Sequence, residues 1–127
     1  MVELDLLKKE VKKTVDEKRD LLESIARYLY ENPELGSEEF KAFELLTETL
    51  KDHGFSVKKG VYGMPTAFVA RYKGKCDGSR VAVLAEYDAL PGVGHGCGHN
   101  LIAASAIGAG IAASKAVKDL SGEVFVI

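Results

Sequence analysis

Residues 101–117 constrain the chain more than any other stretch: they are apolar on nearly every side, and Ala103, Ala104, Ala106, Gly108, Ala109, Gly110, Ala112 and Ala113 keep the segment thin. A helix coated this way has no polar face to turn to water, so it must be buried, and its small side chains call for neighbours at close range. Gly108 and Gly110 each cost a helix about 1 kcal/mol against alanine, a loss that tight packing would offset. Short apolar runs flank this segment at residues 81–85 and 123–127. The first, bounded by Gly78 and the Pro91-Gly92 turn, reads as a buried strand, and the second as another strand. Strand, loop, helix and strand in that order form a right-handed crossover with parallel strands.

Upstream, Leu4, Leu7, Val11, Val15, Leu22, Ile25 and Leu29 recur at the spacing of one helical face, which predicts a long amphipathic helix over residues 2–30. Lys8, Lys9, Lys12 and Lys13 alternate with Glu10, Asp16, Glu17 and Asp20, the pattern of a solvated outer face. Asn32-Pro33 and Gly36 break that helix. Ser37 is placed to cap the next one, with Glu38 and Glu39 in its first turn and Phe40, Phe43, Leu46 and Leu50 as its buried stripe. Gly54 ends it, and His53 beside that end suits the helix dipole. Residues 55–59 and 66–72 read as strands, and the short turn at residues 73–79 predicts an antiparallel pair between 66–72 and 81–85. The whole is α/β with a mixed, partly parallel sheet.

The net charge is −2, with both signs interspersed and no basic stripe, so no nucleic-acid partner is expected. The first residues lack the basic-then-apolar layout of a signal peptide, and the apolar runs fall short of the ~20 residues of a membrane span. A cytoplasmic setting without a membrane partner is expected, with Cys76 and Cys97 as reduced thiols or ligands. No G-x-S-x-G elbow is present. A dinucleotide loop fits poorly, because the third glycine of G-x-G-x-x-G falls on Cys97 or His99.

Glu86 and Asp88 stand at the carboxyl end of the 81–85 strand, where open α/β sheets bind ligands. The loop that follows carries His95, Cys97 and His99 among Gly94, Gly96 and Gly98. Cys97 and His99 are two residues apart, so an extended loop turns both side chains to one side, and a helix start just beyond favours the thiolate. Zinc or another first-row divalent ion accepts this mixture of thiolate, imidazole and carboxylate. An ordinary tight turn with a buried Cys97 thiol fits the same residues, since a closed zinc site wants four ligands and this loop offers two or three.

Ala85-Glu86-Tyr87-Asp88-Ala89-Leu90-Pro91-Gly92, followed by Gly94-His95-Gly96-Cys97-Gly98-His99-Asn100, resembles the dinuclear metal amidohydrolases and peptidases. That family includes aminobenzoyl-glutamate hydrolase, hippurate hydrolase, plant auxin-conjugate hydrolases and related dipeptidases. Asn32-Pro33-Glu34-Leu35-Gly36-Ser37-Glu38-Glu39 is similar to its Pro-Glu-Leu helix boundary, and Pro65-Thr66-Ala67 to the start of its next strand. The resemblance implies a three-layer α/β/α catalytic domain of the zinc-peptidase kind, with residues 1–127 as its amino-terminal portion and the lid or dimerisation domain outside them. It implies that Cys97 and His99 are metal ligands and that Asp88 orients a ligand or the attacking water. Two divalent metals, zinc or manganese, would serve the full-length site. The implied reaction is hydrolysis of the amide bond to an amino acid in an N-acyl amino acid, an aminobenzoyl-glutamate-like compound or a dipeptide, by a homo-oligomer. Many relatives carry aspartate at the positions of Glu86 and Asn100. The Glu-Tyr-Asp and Cys-Gly-His-Asn forms look most like the branch with the second subunit of aminobenzoyl-glutamate hydrolase and dipeptide-cleaving relatives.

The apolar run at residues 123–127 stops in mid-strand, which leads to the expectation of a piece of a longer protein. The family places a Glu-Glu pair just beyond that strand, so these 127 residues alone are expected not to turn over substrate. The rival expectation is a non-enzymatic α/β unit that associates through an apolar edge left at residues 124–127.

Overall fold

The structure, a computed structural model, describes residues 3–127. Helices α1 (Leu4–Glu17), α2 (Arg19–Glu31) and α3 (Phe40–Asp52) come first, then strands β1 (Ser56–Lys59), β2 (Phe68–Lys73) and β3 (Cys76–Val83). Helix α4 (His99–Val117) and strand β4 (Ser121–Val126) complete the described elements. The sheet order is β1-β2-β4-β3, with β1/β2 and β2/β4 antiparallel and β4/β3 parallel. The α/β class, the mixed sheet and the parallel pair across α4 are therefore as the pattern predicts.

One apolar cluster unites the helices with one face of the sheet. Ile25 and Leu29 of α2, Phe43, Leu46 and Leu50 of α3, and Ala103, Ala104, Ile107 and Ile111 of α4 close over Phe68, Ala70, Val124 and Val126. Helices α1 and α2 pack on α4, which lies on β4. By the alternation of strand side chains, Arg71, Arg80, Glu123 and Phe125 project from the opposite face. There Glu123, 5 % exposed, takes a two-pronged ion pair from Arg71 at 2.7 and 2.9 Å.

The long amino-terminal helix is in fact two. Lys18, at φ −95° and ψ 6°, leaves helical geometry, and its N–H is shared between the carbonyls of Thr14 and Val15. The bend lets both pieces lie against α4. Only the second half of the predicted stripe is well covered: Ile25 and Leu29 are buried, whereas Leu4 and Val15 are exposed. Ser37 does not cap α3. It sits at φ 69° and donates its N–H to Glu39 Oε1, and the helix begins three residues later. The capping acceptor is Glu34, whose carboxylate reaches forward to the N–H groups of Lys41 (3.0 Å) and Ala42 (2.8 Å). Phe40, outside that first turn's inner face, is 58 % exposed rather than buried. The far end of α3 runs as predicted: Gly54 takes φ 88°, its N–H bonds the Lys51 carbonyl, and Phe55 N–H bonds that of Leu50, a Schellman closure.

Strand β3 departs most from expectation. It does not pair with β2, because β4 lies between them, and it forms an edge on which Val81 and Leu84, just past the strand, are exposed. Residues 76–79, read as turn, belong to this strand, with an irregularity in its register against β4 between Cys76 and Arg80. Glycines make the insertion of β4 feasible. A Cβ on Gly74 would lie 2.5 Å from the Leu120 carbonyl oxygen, and one on Gly78 would lie 2.8 Å from the Gly122 nitrogen. Since β4 is hydrogen-bonded on both sides, residues 124–127 are not a free edge, and association through them is overturned.

Helix α4 also departs from expectation. At 19 residues and a mean hydropathy of 1.4 it is long and apolar enough to cross a membrane by length and composition, contrary to the estimate from apolar runs. More than half of it is buried within the fold, where it serves as the central core helix. Its burial is one-sided all the same, with Leu101 and Ile102 exposed near its start.

Candidate functional site

Beyond β3 the chain is held in register by β4: Ala85 N–H donates to the Ile127 carbonyl at 2.7 Å and Ile127 N–H to that of Val83 at 3.0 Å. Tyr87 anchors the next residues. Its ring stacks on Phe68, with centroids 6.1 Å apart, and its hydroxyl donates to the Thr66 carbonyl. Burial, reinforced by the Glu39 charge, pushes the Tyr87 phenol well above its ordinary pKa, so it stays a donor. Ala89 N–H then bonds the Glu34 carbonyl at 2.7 Å, tying this segment to the stretch before α3. With Tyr87 and Ala89 fixed, the carboxylates of Glu86 and Asp88 have defined starting points.

The loop into α4 is shaped by glycines. Gly92, Gly94 and Gly98 take φ of 69°, 74° and 83°, where a side chain is strained, and Leu90 and Gly94 exchange hydrogen bonds across the turn. Gly98 caps α4 from the left-handed region, so the helix starts at His99 itself rather than at residue 101. Asn100, in the first turn, is buried and donates its side-chain N–H to the Ala26 carbonyl at 3.1 Å, fastening the helix start to α2.

These supports bring His99 between the two acids. Its Nδ1 lies 2.7 Å from Asp88 Oδ1 and its Nε2 3.0 Å from Glu86 Oε2. An acceptor at Nδ1 selects the tautomer whose lone pair is on Nε2, and that lone pair then faces a second carboxylate oxygen. Two such acceptors repel unless a cation, a proton or a metal, stands between them. The donor set thus fits a divalent metal at Nε2 with Asp88 orienting the ring from behind, an arrangement common around metal-bound histidines.

The three groups form a line through one ring, not a cage. Among the described residues no three His, Cys, Asp or Glu side chains converge in a way that could hold an ion by themselves. Cys97 is a free, exposed thiol two residues before His99. The exposure contradicts the buried thiol of the tight-turn alternative, while the turn itself is present, with Gly98 N–H bonded to the His95 carbonyl at 3.2 Å. Cys76 is likewise free and exposed. His53 sits at the α3 terminus as predicted, its Nδ1 2.7 Å from the Thr49 carbonyl oxygen.

Two residues next to the cluster carry more than their spacing disclosed. Glu86 is brought to Nε2 of His99, and only its place beside Asp88 at the carboxyl end of the strand hinted at this. His95 is buried, with Nδ1 lacking a hydrogen-bond partner. Burial, then the nearby His99, lowers its pKa, against opposing pulls from Asp88 and the Leu29 backbone.

No family model matches the chain. It is 36% identical over 138 residues to thermostable carboxypeptidase 2 of Saccharolobus solfataricus, a match spanning 98% of this chain and 35% of that protein. Xaa-Arg dipeptidase of Mus musculus is 36% identical over 127 residues, 94% of this chain and 30% of that one. The second subunit of p-aminobenzoyl-glutamate hydrolase from Escherichia coli is 35% identical over 119 residues, 80% and 24% of the two chains. Among solved structures, a Bacillus subtilis dinuclear metal binding peptidase from the M20 family matches with a TM-score of 0.76 at 27% identity, covering 91% of this chain and 34% of that one. A protein from methicillin-resistant Staphylococcus aureus shares the fold, with a TM-score of 0.82 at 24% identity over 93% of this chain. The chain spans about a third or less of the length of each curated relative named here.

Proposed function

Because the chain belongs to the family of dinuclear metal-dependent peptidases and amidohydrolases, we propose that it supplies one side of a metal site that hydrolyses the amide bond to an amino acid. The substrate class is an N-acyl amino acid or a dipeptide, in keeping with the names of the relatives. The observation that carries the reading is the 2.7 Å contact from Asp88 to His99 Nδ1, which leaves Nε2 as the ligand atom. Divalent cations bound here, zinc or manganese, supply Lewis acidity toward the scissile carbonyl and lower the pKa of water. His99 would offer Nε2 and Cys97 its Sγ to such a cation, while Asp88 would hold the Nδ1 proton and fix the plane of the ring. Glu86, on the Nε2 side, adds a carboxylate where positive charge is to be held.

Calorimetric titration of Zn²⁺ and Mn²⁺ into the 127-residue chain and its Cys97→Ser, His99→Ala and Asp88→Asn variants tests this. Uptake by the parent chain, its loss in His99→Ala, weakening in Cys97→Ser and a roughly 10- to 100-fold weakening in Asp88→Asn are the expected results. Equal, negligible uptake by all four would overturn the reading. The same chain is expected not to hydrolyse N-acyl amino acids or dipeptides, and measurable turnover refutes the assignment of only half a site to it.

A further inference from the structure

The loop of residues 90–98 is fixed to the rest of the protein by one side chain. His95 is 7 % exposed, whereas Leu90, Val93 and Cys97 stand in solvent and no other residue of the stretch is buried. Its imidazole anchors the loop, and it is a costly choice of anchor. Nδ1 has no hydrogen-bond partner, and a nitrogen buried bare destabilises a fold where a phenyl ring of similar shape would not. The ring faces the Leu29 backbone of α2, which accepts from an imidazole N–H; with Nδ1 unpartnered, that hydrogen is on Nε2 and the lone pair is left on Nδ1. A hydrogen-bond acceptor is thus placed two residues before Cys97, with nothing in the protein donating to it.

Cys97 rides on the same anchor. Gly98 N–H bonds the His95 carbonyl at 3.2 Å, so residues 95–98 form one turn that pivots at His95. The thiol is exposed, and among the described residues Cys97 joins no group of His, Cys, Asp or Glu side chains that could hold an ion. Among the same residues the N–H groups of Gly96 and Cys97 meet no backbone acceptor in the protein. For Sγ to share a cation with His99 Nε2 the turn has to rotate, and the Cys97 N–H rotates with it. Resting on the reading of His99 and Cys97 as ligands of one cation, we propose that His95 is the positioning residue for Cys97: its buried ring is the pivot of the turn, and Nδ1 accepts the Cys97 N–H when Sγ swings to the cation at His99. The bond is of the kind that asparagine and aspartate make with the backbone two residues on, since Nδ1 of histidine, like Oδ1 of asparagine, is attached to Cγ. A cost carried by the open turn and relieved in the closed one favours closure, which is the use of a histidine at this buried position.

Co²⁺ accepts the same nitrogen and sulfur donors as zinc, and a sulfur-to-cobalt charge-transfer band marks ligation by Cys97 apart from total uptake, which calorimetry counts. The 127-residue chain should bind Co²⁺ with that band, and Cys97→Ser should bind it more weakly and without the band. His95→Phe should be at least as stable as the parent in urea, since no bare nitrogen is then buried, yet lose the band and bind Co²⁺ about tenfold or more weakly. His95→Asn, whose Oδ1 stands in for Nδ1, should recover the band and most of the affinity. A residue that serves stability alone would move the urea midpoint and the affinity together. A His95→Phe chain that keeps the band, or a His95→Asn chain that binds no better than His95→Phe, would overturn the proposal. Where either variant does not fold, ring ¹⁵N spectra of the parent decide. On addition of Zn²⁺ the His95 Nδ1 signal should shift as a lone pair does on accepting a hydrogen bond, and should stay in place in Cys97→Ser; an unmoved signal in the parent overturns the proposal. Absence of metal uptake by the parent refutes the metal reading and this inference with it, whereas uptake with a band indifferent to His95 refutes the inference alone.

Discussion

Replacing Gly110 by alanine is expected to destabilise the fold even though alanine is the better helix former. A Cβ at Gly110 would lie 2.4 Å from Val126 Cγ2 and 3.6 Å from Phe55 Cζ, and both neighbours are buried, at 0 % and 4 % exposure. Val126 branches at Cβ and is locked in the central strand, so its methyl can yield only by leaving its rotamer or by moving α4 away from β4. Gly108, half a turn away, is a built-in control. Its Cβ would meet Leu22 Cδ1 at 2.7 Å, but that atom is the free end of a flexible side chain that is only partly buried. Both substitutions gain about 1 kcal/mol of helix propensity. Overpacking costs about 1–3 kcal/mol at a rigid site and much less where the neighbour can swing. Gly110→Ala should therefore fall up to about 2 kcal/mol below the parent, while Gly108→Ala stays level or gains up to about 1 kcal/mol. Urea denaturation reads the contrast directly, since a gap of ~2 kcal/mol moves the midpoint by about 1 M at m-values typical of small domains. In the double variant with Val126→Ala the two losses should be sub-additive, because the smaller side chain makes room for the added methyl. If Gly110→Ala matched or exceeded the parent, with Gly108→Ala no better, the close approach of α4 to β4 would not be what requires glycine.

Two other substitutions probe separate parts of the fold. Glu34→Ala removes the acceptor for the Lys41 and Ala42 N–H groups and should cost about 1–2 kcal/mol of stability in urea denaturation, as loss of a helix cap does, whereas Glu34→Gln, which keeps one acceptor oxygen, should lose less. Hydrogen bonding to Arg71 holds the Glu123 carboxyl below its ordinary 4.5, so this group adds stability above that value and the contribution is lost as pH falls through its lower, folded-state pKa. Arg71→Met should flatten the acid limb of a stability profile measured from pH 3 to 7, and an unchanged slope there would refute the linkage.

The fold was legible where local chemistry decides it. Small residues with a hydrophobic coat specify α4, Gly54 specifies the end of α3, and strand-helix-strand order specifies the parallel pair. It was illegible where a distant segment overrides the local signal. Ser37 looks like a cap, but Glu39 takes its N–H and the more remote Glu34 supplies the capping oxygens. The turn after β2 looks like a hairpin, but nothing near residues 73–79 announces that a strand 45 residues later will wedge beside it, apart from glycines at 74 and 78 that a hairpin would also use. At the site, spacing selected Cys97 and His99 and the family resemblance added Asp88; the fold brings Asp88 within 2.7 Å of His99 and leaves Cys97 an exposed thiol, while the part played by Glu86 depends on which imidazole nitrogen it meets, which no spacing discloses.

Asn100 links these levels, because it lies one residue from His99 and fastens the start of α4 to α2. In this chain its side-chain amide donates to the Ala26 carbonyl at 3.1 Å from a buried position, so the tether requires an N–H donor. An ionised aspartate has none and would set a negative charge against a carbonyl oxygen, leaving both acceptors unsatisfied at a cost of about 1–3 kcal/mol. Asn100→Asp is therefore expected to lower stability at pH 7, with a loss that shrinks as pH falls and the new carboxyl gains a proton to donate. That trend is opposite in sign to the one expected from Glu123, which separates the two in a single pH series. The start of α4 would also loosen from α2, and because His99 occupies the first helical position, the Asp88–Nδ1 contact should loosen with it. Zinc uptake by the variant should fall at pH 7 in parallel with stability. An Asn100→Asp chain as stable as its parent, with metal affinity equal or higher, would mean that the carbonyl of Ala26 is not what this side chain is there to hold.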